Sequence, residues 1–145
     1  MSQTAQTFKN HARFFPIFHF FVAPVLLLNV INSLRYVWRA PTEGSVFNAI
    51  VAVALFMLAL AARLMALTVQ DRVIRLEMRL RLHEVLPAEM RNRVHELSPK
   101  QLIALRFASD VELPSLVRDV LAGTLPNQKA IKQRVKDWQG DYLRA

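Results

Sequence analysis

Four histidines and no cysteine bound the chemistry open to this chain of 145 residues. Without a thiol there is no disulfide, no thiolate nucleophile and no cysteine-ligated metal. His11 and His19 are separated by Pro16, and His83 and His95 lie far downstream. None forms the i, i+4 pair or tight cluster that a zinc site favours. His19 reads as an interfacial polar residue that bonds locally, with a ligand or proton-handling role as its alternative. Asn29, Asn32 and Asn48 stand inside otherwise apolar runs. They suit hydrogen bonding between helices, or the polar lining of a pore. The carboxylates pair locally: Asp71 with Arg75 and Glu77 with Arg81 have the favourable i, i+4 order. Asp110 and Glu112 read as turn and cap residues. There is no glycine-rich phosphate loop, nucleophile elbow or metalloprotease motif. The expectation is a non-enzymatic protein with no catalytic residue, no resident metal and no cofactor.

The elements that must carry these residues are two apolar runs. Ile17 to Leu34 holds no charge besides His19, and Val46 to Ala62 holds none at all. A hydrocarbon core of about 30 Å needs roughly 20 apolar residues in helix, which each run supplies with its flanks. The expected fold is all-α: a two-helix transmembrane hairpin, with the second span continuing into a long cytoplasmic helix, then a small bundle of short helices. The boundaries expected are a basic lead over 1–15, a hairpin over 16–68 with spans at about 16–36 and 46–67, and a helical domain over 69–145. Pro24 predicts a mild kink near Phe20. Tyr36 and Trp38 suit an interfacial belt, and Ser45 suits the N-cap of the second span.

No glycine or proline interrupts the chain from Ser45 to Leu86. Ser45, Ala52, Ala59 and Ala66 recur every seven residues and predict a small-residue stripe for close helix packing. Further on, Ala66, Val69, Val73, Leu76 and Leu80 keep a and d spacing. A second row, Leu67, Ile74, Met78, Leu82 and Val85, predicts a wide buried face, opposed by basic Arg72, Arg75 and Arg79. Pro87 ends the helix. Short helices follow. One covers Ala88 to Leu97. The next opens on a capping box, Ser98 with Gln101, and has Pro99 at its first position. Another follows Glu112 and closes at Gly123. The last is capped by Asn127 and carries Ile131, Val135, Trp138 and Tyr142 as one stripe.

The net charge of +8 does not by itself argue for nucleic acid. From Val69 onward 14 basic residues interleave with 10 acidic ones. The remaining excess flanks or enters the apolar runs, at Lys9, Arg13, Arg35, Arg39 and Arg63. Such residues meet anionic head groups and set orientation. Arg63, Arg72, Arg75 and Arg79 are the head-group candidates. Basic residues gather at the outer ends of the two spans, whereas the elbow holds only Arg35 and Arg39. That places both termini in the cytoplasm.

Two sequence blocks carry a resemblance. Asn10-His11-x-Arg13-x-x-Pro16-x-x-His19-Phe20 runs directly into the first apolar span. Downstream stands Gln101-Leu-Ile-Ala-Leu-Arg-Phe-Ala-Ser-Asp-x-Glu-Leu-Pro, followed by Ile131-Lys132 and Trp138. Both resemble a family of small bacterial two-span membrane proteins catalogued as a domain of unknown function. The resemblance implies two spans and a cytoplasmic helical tail, and it brings no activity. Asn10, His11, Arg13 and His19 are its polar residues without a packing role, hence a candidate functional cluster. The leading expectation is an interaction, scaffold or accessory protein of the bacterial inner membrane. Its partners would be the lipid bilayer and either further copies of itself or a larger membrane complex, with no nucleic acid. The alternatives are a homo-oligomeric channel and, third, metal or haem binding through His11 and His19.

Overall fold

The computed structural model describes residues 7–8 and 15–141, and all its regular elements are helical. A π-helix, Ile17–Val22, leads into α1 (Ala23–Arg39). Then come α2 (Glu43–Val85), α3 (Ala88–Arg91), a 3₁₀ turn (Val94–Glu96), α4 (Pro99–Leu105), α5 (Leu113–Leu121) and α6 (Gln128–Arg134). The described residues fall into two compact units. One holds 15–68, the other 69–141 with Thr7 and Phe8.

In the first unit the chain around Phe20, where Pro24 predicts a kink, forms a stretch of wider helix. Pro24 has no N–H to give Phe20, and the Ala23 N–H reaches back five residues to the Phe18 carbonyl. A π turn just before the proline gives its ring room, which is how helices absorb such a residue without breaking. The second helix begins at Glu43 rather than at Val46, because Thr42 and not Ser45 is its cap. The Thr42 N–H donates to Ser45 Oγ at 2.9 Å, and the Ser45 N–H donates to Thr42 Oγ1 at 3.1 Å. This is the reciprocal geometry of a capping box, with serine in the place of the usual glutamate.

Neither apolar helix hides its side chains. Phe20, Phe21, Leu28, Leu58, Leu64 and Met65 are all exposed. Only Ala49 and Ala52 are buried in this unit. Two helices, Ile17–Arg39 and Glu43–Val85, are long and apolar enough to cross a membrane.

The second unit has a closed core. Ile74, Met78, Leu82 and Leu86 from α2 and the stretch after it meet Val94, Leu97, Leu102, Leu105, Leu113, Leu116, Val117 and Ile131. The spacing of four along α2 forms one ridge, against which the short helices lie. The caps at Ser98 and Asn127 form as the sequence predicts: Gln101 N–H to Ser98 Oγ at 3.3 Å, Ser98 N–H to Gln101 Oε1 at 2.8 Å, and Ala130 N–H to Asn127 Oδ1 at 2.9 Å. Gly123 takes φ of +79° just past α5, a left-handed turn that glycine adopts without a steric cost.

Three expectations are corrected here. First, of the two apolar rows on α2, only the second is covered: Ile74, Met78 and Leu82 are buried, and Leu67 and Val85 half-buried. Val69, Val73, Leu76 and Leu80 stand exposed, on the side away from Ile74, Met78 and Leu82. The short helices cover one ridge and leave the other bare. Second, Ala88 to Leu97 is not one helix. It breaks at Asn92 into α3 and the 3₁₀ turn. Third, α6 stops at Arg134. Val135 is extended and Trp138 forms an antiparallel bridge with Ala108. Trp138 therefore reaches the core from an extended strap, with its ring 4.7 Å from that of Phe107. Tyr142 lies outside the described residues.

Candidate functional site

The three amide candidates in the apolar helices, Asn29, Asn32 and Asn48, come together. Asn29, Asn32, Ser33 and Tyr36 fall on one face of α1 because their spacing of three, one and three follows the helical turn. Ser45, Asn48, Val51 and Ala52 come from the first turns of α2. These residues line a cavity of about 350 Å³. Buried Ala52 lets the helices approach at one edge, and the polar side chains hold the other edge open. Among the described residues, none of the three amides is hydrogen-bonded to another protein group. Each offers two donors and an acceptor, so the cavity presents neutral polar groups and no charge. It suits hydrogen bonding to another helix, to water or to a neutral polar ligand. Its hydroxyls, on Ser33, Tyr36 and Ser45, have no imidazole, amine or carboxylate beside them in the lining to activate them.

The small-residue stripe is used unevenly. Ser45 serves the helix start, where its Oγ also donates to the Ala40 carbonyl at 2.9 Å. Ala52 is buried, Ala59 half-buried and Ala66 exposed. Of the polar cluster, Asn10, His11 and Arg13 lie outside the described residues. His19 is local: its Nδ1 lies 2.9 Å from the Phe15 carbonyl oxygen. Among the described residues no group of three potential metal ligands converges.

The basic row divides by partner. Arg63 lies with its Cζ 5.9 Å from the Phe18 ring centroid, a cation–π contact. Arg75 turns back to donate to the Asp71 carbonyl at 3.0 Å, so the expected carboxylate pair does not form. Arg72 and Arg79 are exposed. Arg81 does not pair with Glu77 as its spacing predicts. It donates to Asp110 Oδ1 at 2.7 Å and to the carbonyls of Ala108 at 2.7 Å and Arg106 at 3.3 Å. Two unsatisfied carbonyls and a carboxylate outcompete one exposed neighbour, because buried acceptors without a donor are costly. Arg81 thereby ties α2 to the turn after α4.

Sequence reasoning missed a second tie. Arg106 is nearly buried and faces Asp141 at 3.0 Å, with its Cζ 4.3 Å from the Phe107 ring. No local signal pairs residues so far apart. Glu112 stands at the N-cap position of α5, yet its side chain makes no cap bond there; it accepts instead from the Lys136 N–H at 3.1 Å and the Asp137 N–H at 3.2 Å. Arg93 donates twice to Glu96, at 2.8 and 2.9 Å. Those bonds hold the Glu96 carboxyl below the usual range at an exposed site.

In the second unit a groove of about 420 Å³ runs along α2 beside the 139–141 strap. Glu77 and Asp141 supply its negative charge, Arg81 and Arg106 its positive charge. Mixed signs, and arginines already engaged, make it an unpromising anion site.

Neither the curated proteins nor the solved structures yielded a match. A family model, described as "Family of unknown function (DUF6526)", matches residues 1–145. That match spans the all-helical fold, the two apolar helices and the helical tail alike, and the chain belongs to this family of unknown function.

Proposed function

We propose that this protein is a membrane-inserted helical hairpin that displays a small helical domain for protein contact, without enzymatic activity. The observation that supports this reading is the large exposed apolar surface of α1 and of α2 up to Thr68, where every bulky side chain outside the face that the two helices share is bare. Water would penalise that surface by roughly 25 cal/mol per Å², and a hydrocarbon phase removes the penalty. A buried core helix could also be apolar all round, but these helices are bare. Phe18 beside Arg63, and residues 29–36 beside 45–52, support an antiparallel pair with the Thr42 turn at one end. The positive-inside balance favours a bacterial inner membrane with both termini cytoplasmic. Arg63 is the first head-group ligand. Arg72 and Arg75 follow within reach, whereas Arg79 lies roughly 18 Å along the helix past Leu67, beyond the head groups.

The absence of native cysteine makes the test direct. In spheroplasts, a membrane-impermeant maleimide should label the Ala40→Cys variant. It should label the Lys129→Cys variant only after lysis. The reverse pattern would overturn the orientation, and release of the protein by alkaline carbonate would overturn insertion.

The convergence of the three amides on one cavity supports a second reading, an oligomeric channel. It predicts ion flux in proteoliposomes that Asn48→Leu reduces. Sealed vesicles under both voltage and tension would remove it.

A further inference from the structure

The surface of α2 after Thr68 is used on one side only. Ile74, Met78 and Leu82 face the core of the second unit, and Leu82 is 0 % exposed. On the opposite side Val69, Leu76 and Leu80 are 60, 60 and 59 % exposed, with Val73 between them. Their spacing of four, three and four makes a coiled-coil seam, in which Val69 and Leu76 take d and Val73 and Leu80 take a. The e positions beside this seam are then Gln70, Glu77 and Glu84. The g positions are Arg72 and Arg79. One flank is acidic or neutral and the other is basic.

We propose that this face binds a second copy of the same chain, as a parallel, in-register two-helix seam. The argument is charge complementarity. In a parallel pair each g residue meets the e residue five positions on in the partner. Arg72 then meets Glu77 of the other copy, and Arg79 meets its Glu84, twice over by symmetry. An antiparallel pair would set Arg against Arg and Glu against Glu. Among the described residues none of these four side chains has an ion-pair partner within its own chain, so all are free to make these contacts. The central layer, Val73 at a with Leu76 at d, is the combination that favours two strands. Lipid does not suit the row, because the carboxylates of Glu77 and Glu84 run along its flank. The seam is short for an isolated coiled coil. Here the inference rests on the membrane-inserted reading, since two hairpins in one bilayer share a direction and a high effective concentration.

The test uses the full chain in native membranes, with single cysteines and a mild oxidant. Val69→Cys, Val73→Cys, Leu76→Cys and Leu80→Cys should each give a disulfide-linked dimer, and Arg75→Cys should not. In the Leu76→Cys background, Arg72→Glu with Arg79→Glu should lower the dimer yield about tenfold or more, as four attractive exposed pairs become repulsive. Adding Glu77→Arg and Glu84→Arg should restore it. Equal crosslinking at Arg75→Cys, or indifference to charge reversal, would overturn the proposal. Alkaline extraction of the same membranes separates the two readings. Resistant protein that crosslinks at no seam position overturns self-association and leaves insertion standing. Extractable protein with the seam pattern intact overturns insertion and supports self-association.

Discussion

Leu82→Ala should cost the helical domain about 2–5 kcal/mol, and Leu80→Ala, two residues away on the same helix, should change its stability by no more than about 0.5 kcal/mol. The side chains are alike and only their surroundings differ. Leu82 is fully buried among the short helices, so truncation removes its transfer free energy and leaves a cavity. Leu80 is largely bare in the single chain, so its loss should leave the domain intact and register only in self-association. Urea unfolding in nanodiscs, followed by Trp138 emission in a Trp38→Phe background, reads the difference. Equal losses at the two positions would mean that the bare and covered rows of α2 have been assigned to the wrong sides.

Phe107→Ala should be still more damaging, at about 3–5 kcal/mol. The ring is 1 % exposed and stacks with Trp138 at a centroid distance of 4.7 Å. Its flanks carry cations, with Arg106 Cζ at 4.3 Å and Lys132 Nζ at 5.5 Å from the centroid. The Phe107 carbonyl also accepts the Gln139 N–H at 2.8 Å, which fastens the strap after α6. Removing the ring should release Trp138, with a red-shifted emission before unfolding begins. Phe107→Leu, which keeps most of the apolar volume, should retain the emission and cost markedly less. A loss below about 1 kcal/mol for Phe107→Ala would show that the strap does not depend on the ring.

What could be read in the sequence was what is decided locally. The Ser98 and Asn127 caps lie within three residues of their partners, and both form. Unbroken apolar length located the two long helices, and apolar spacing located both rows on α2. It could not say which row would be covered, because that choice belongs to helices 20 to 60 residues further on. Arg81 shows the same limit. Glu77 stood at the favoured i, i+4 spacing, yet the guanidinium follows the carbonyls of Arg106 and Ala108, whose need for a donor appears only once the turn after α4 exists. At the elbow Thr42 and Ser45 have the spacing of a capping box but lack its glutamate, so the sequence pattern that marks a helix start is absent although the reciprocal bonds form. For the polar candidates, Asn29, Asn32 and Asn48 stand out in the sequence as amides in apolar runs, and the fold brings all three to one cavity.

The core of the helical domain takes Ile74, Met78 and Leu82 from α2, so its true beginning lies within a helix and not at the Pro87 bend. A fragment cut at the bend would lack one wall of its core. One cut near Val69 would keep the wall, and with it the uncovered valines and leucines on the far side. Any soluble version of the domain thus inherits a well-ordered interior together with an adhesive exterior, and its handling in solution would be governed by concentration more than by temperature.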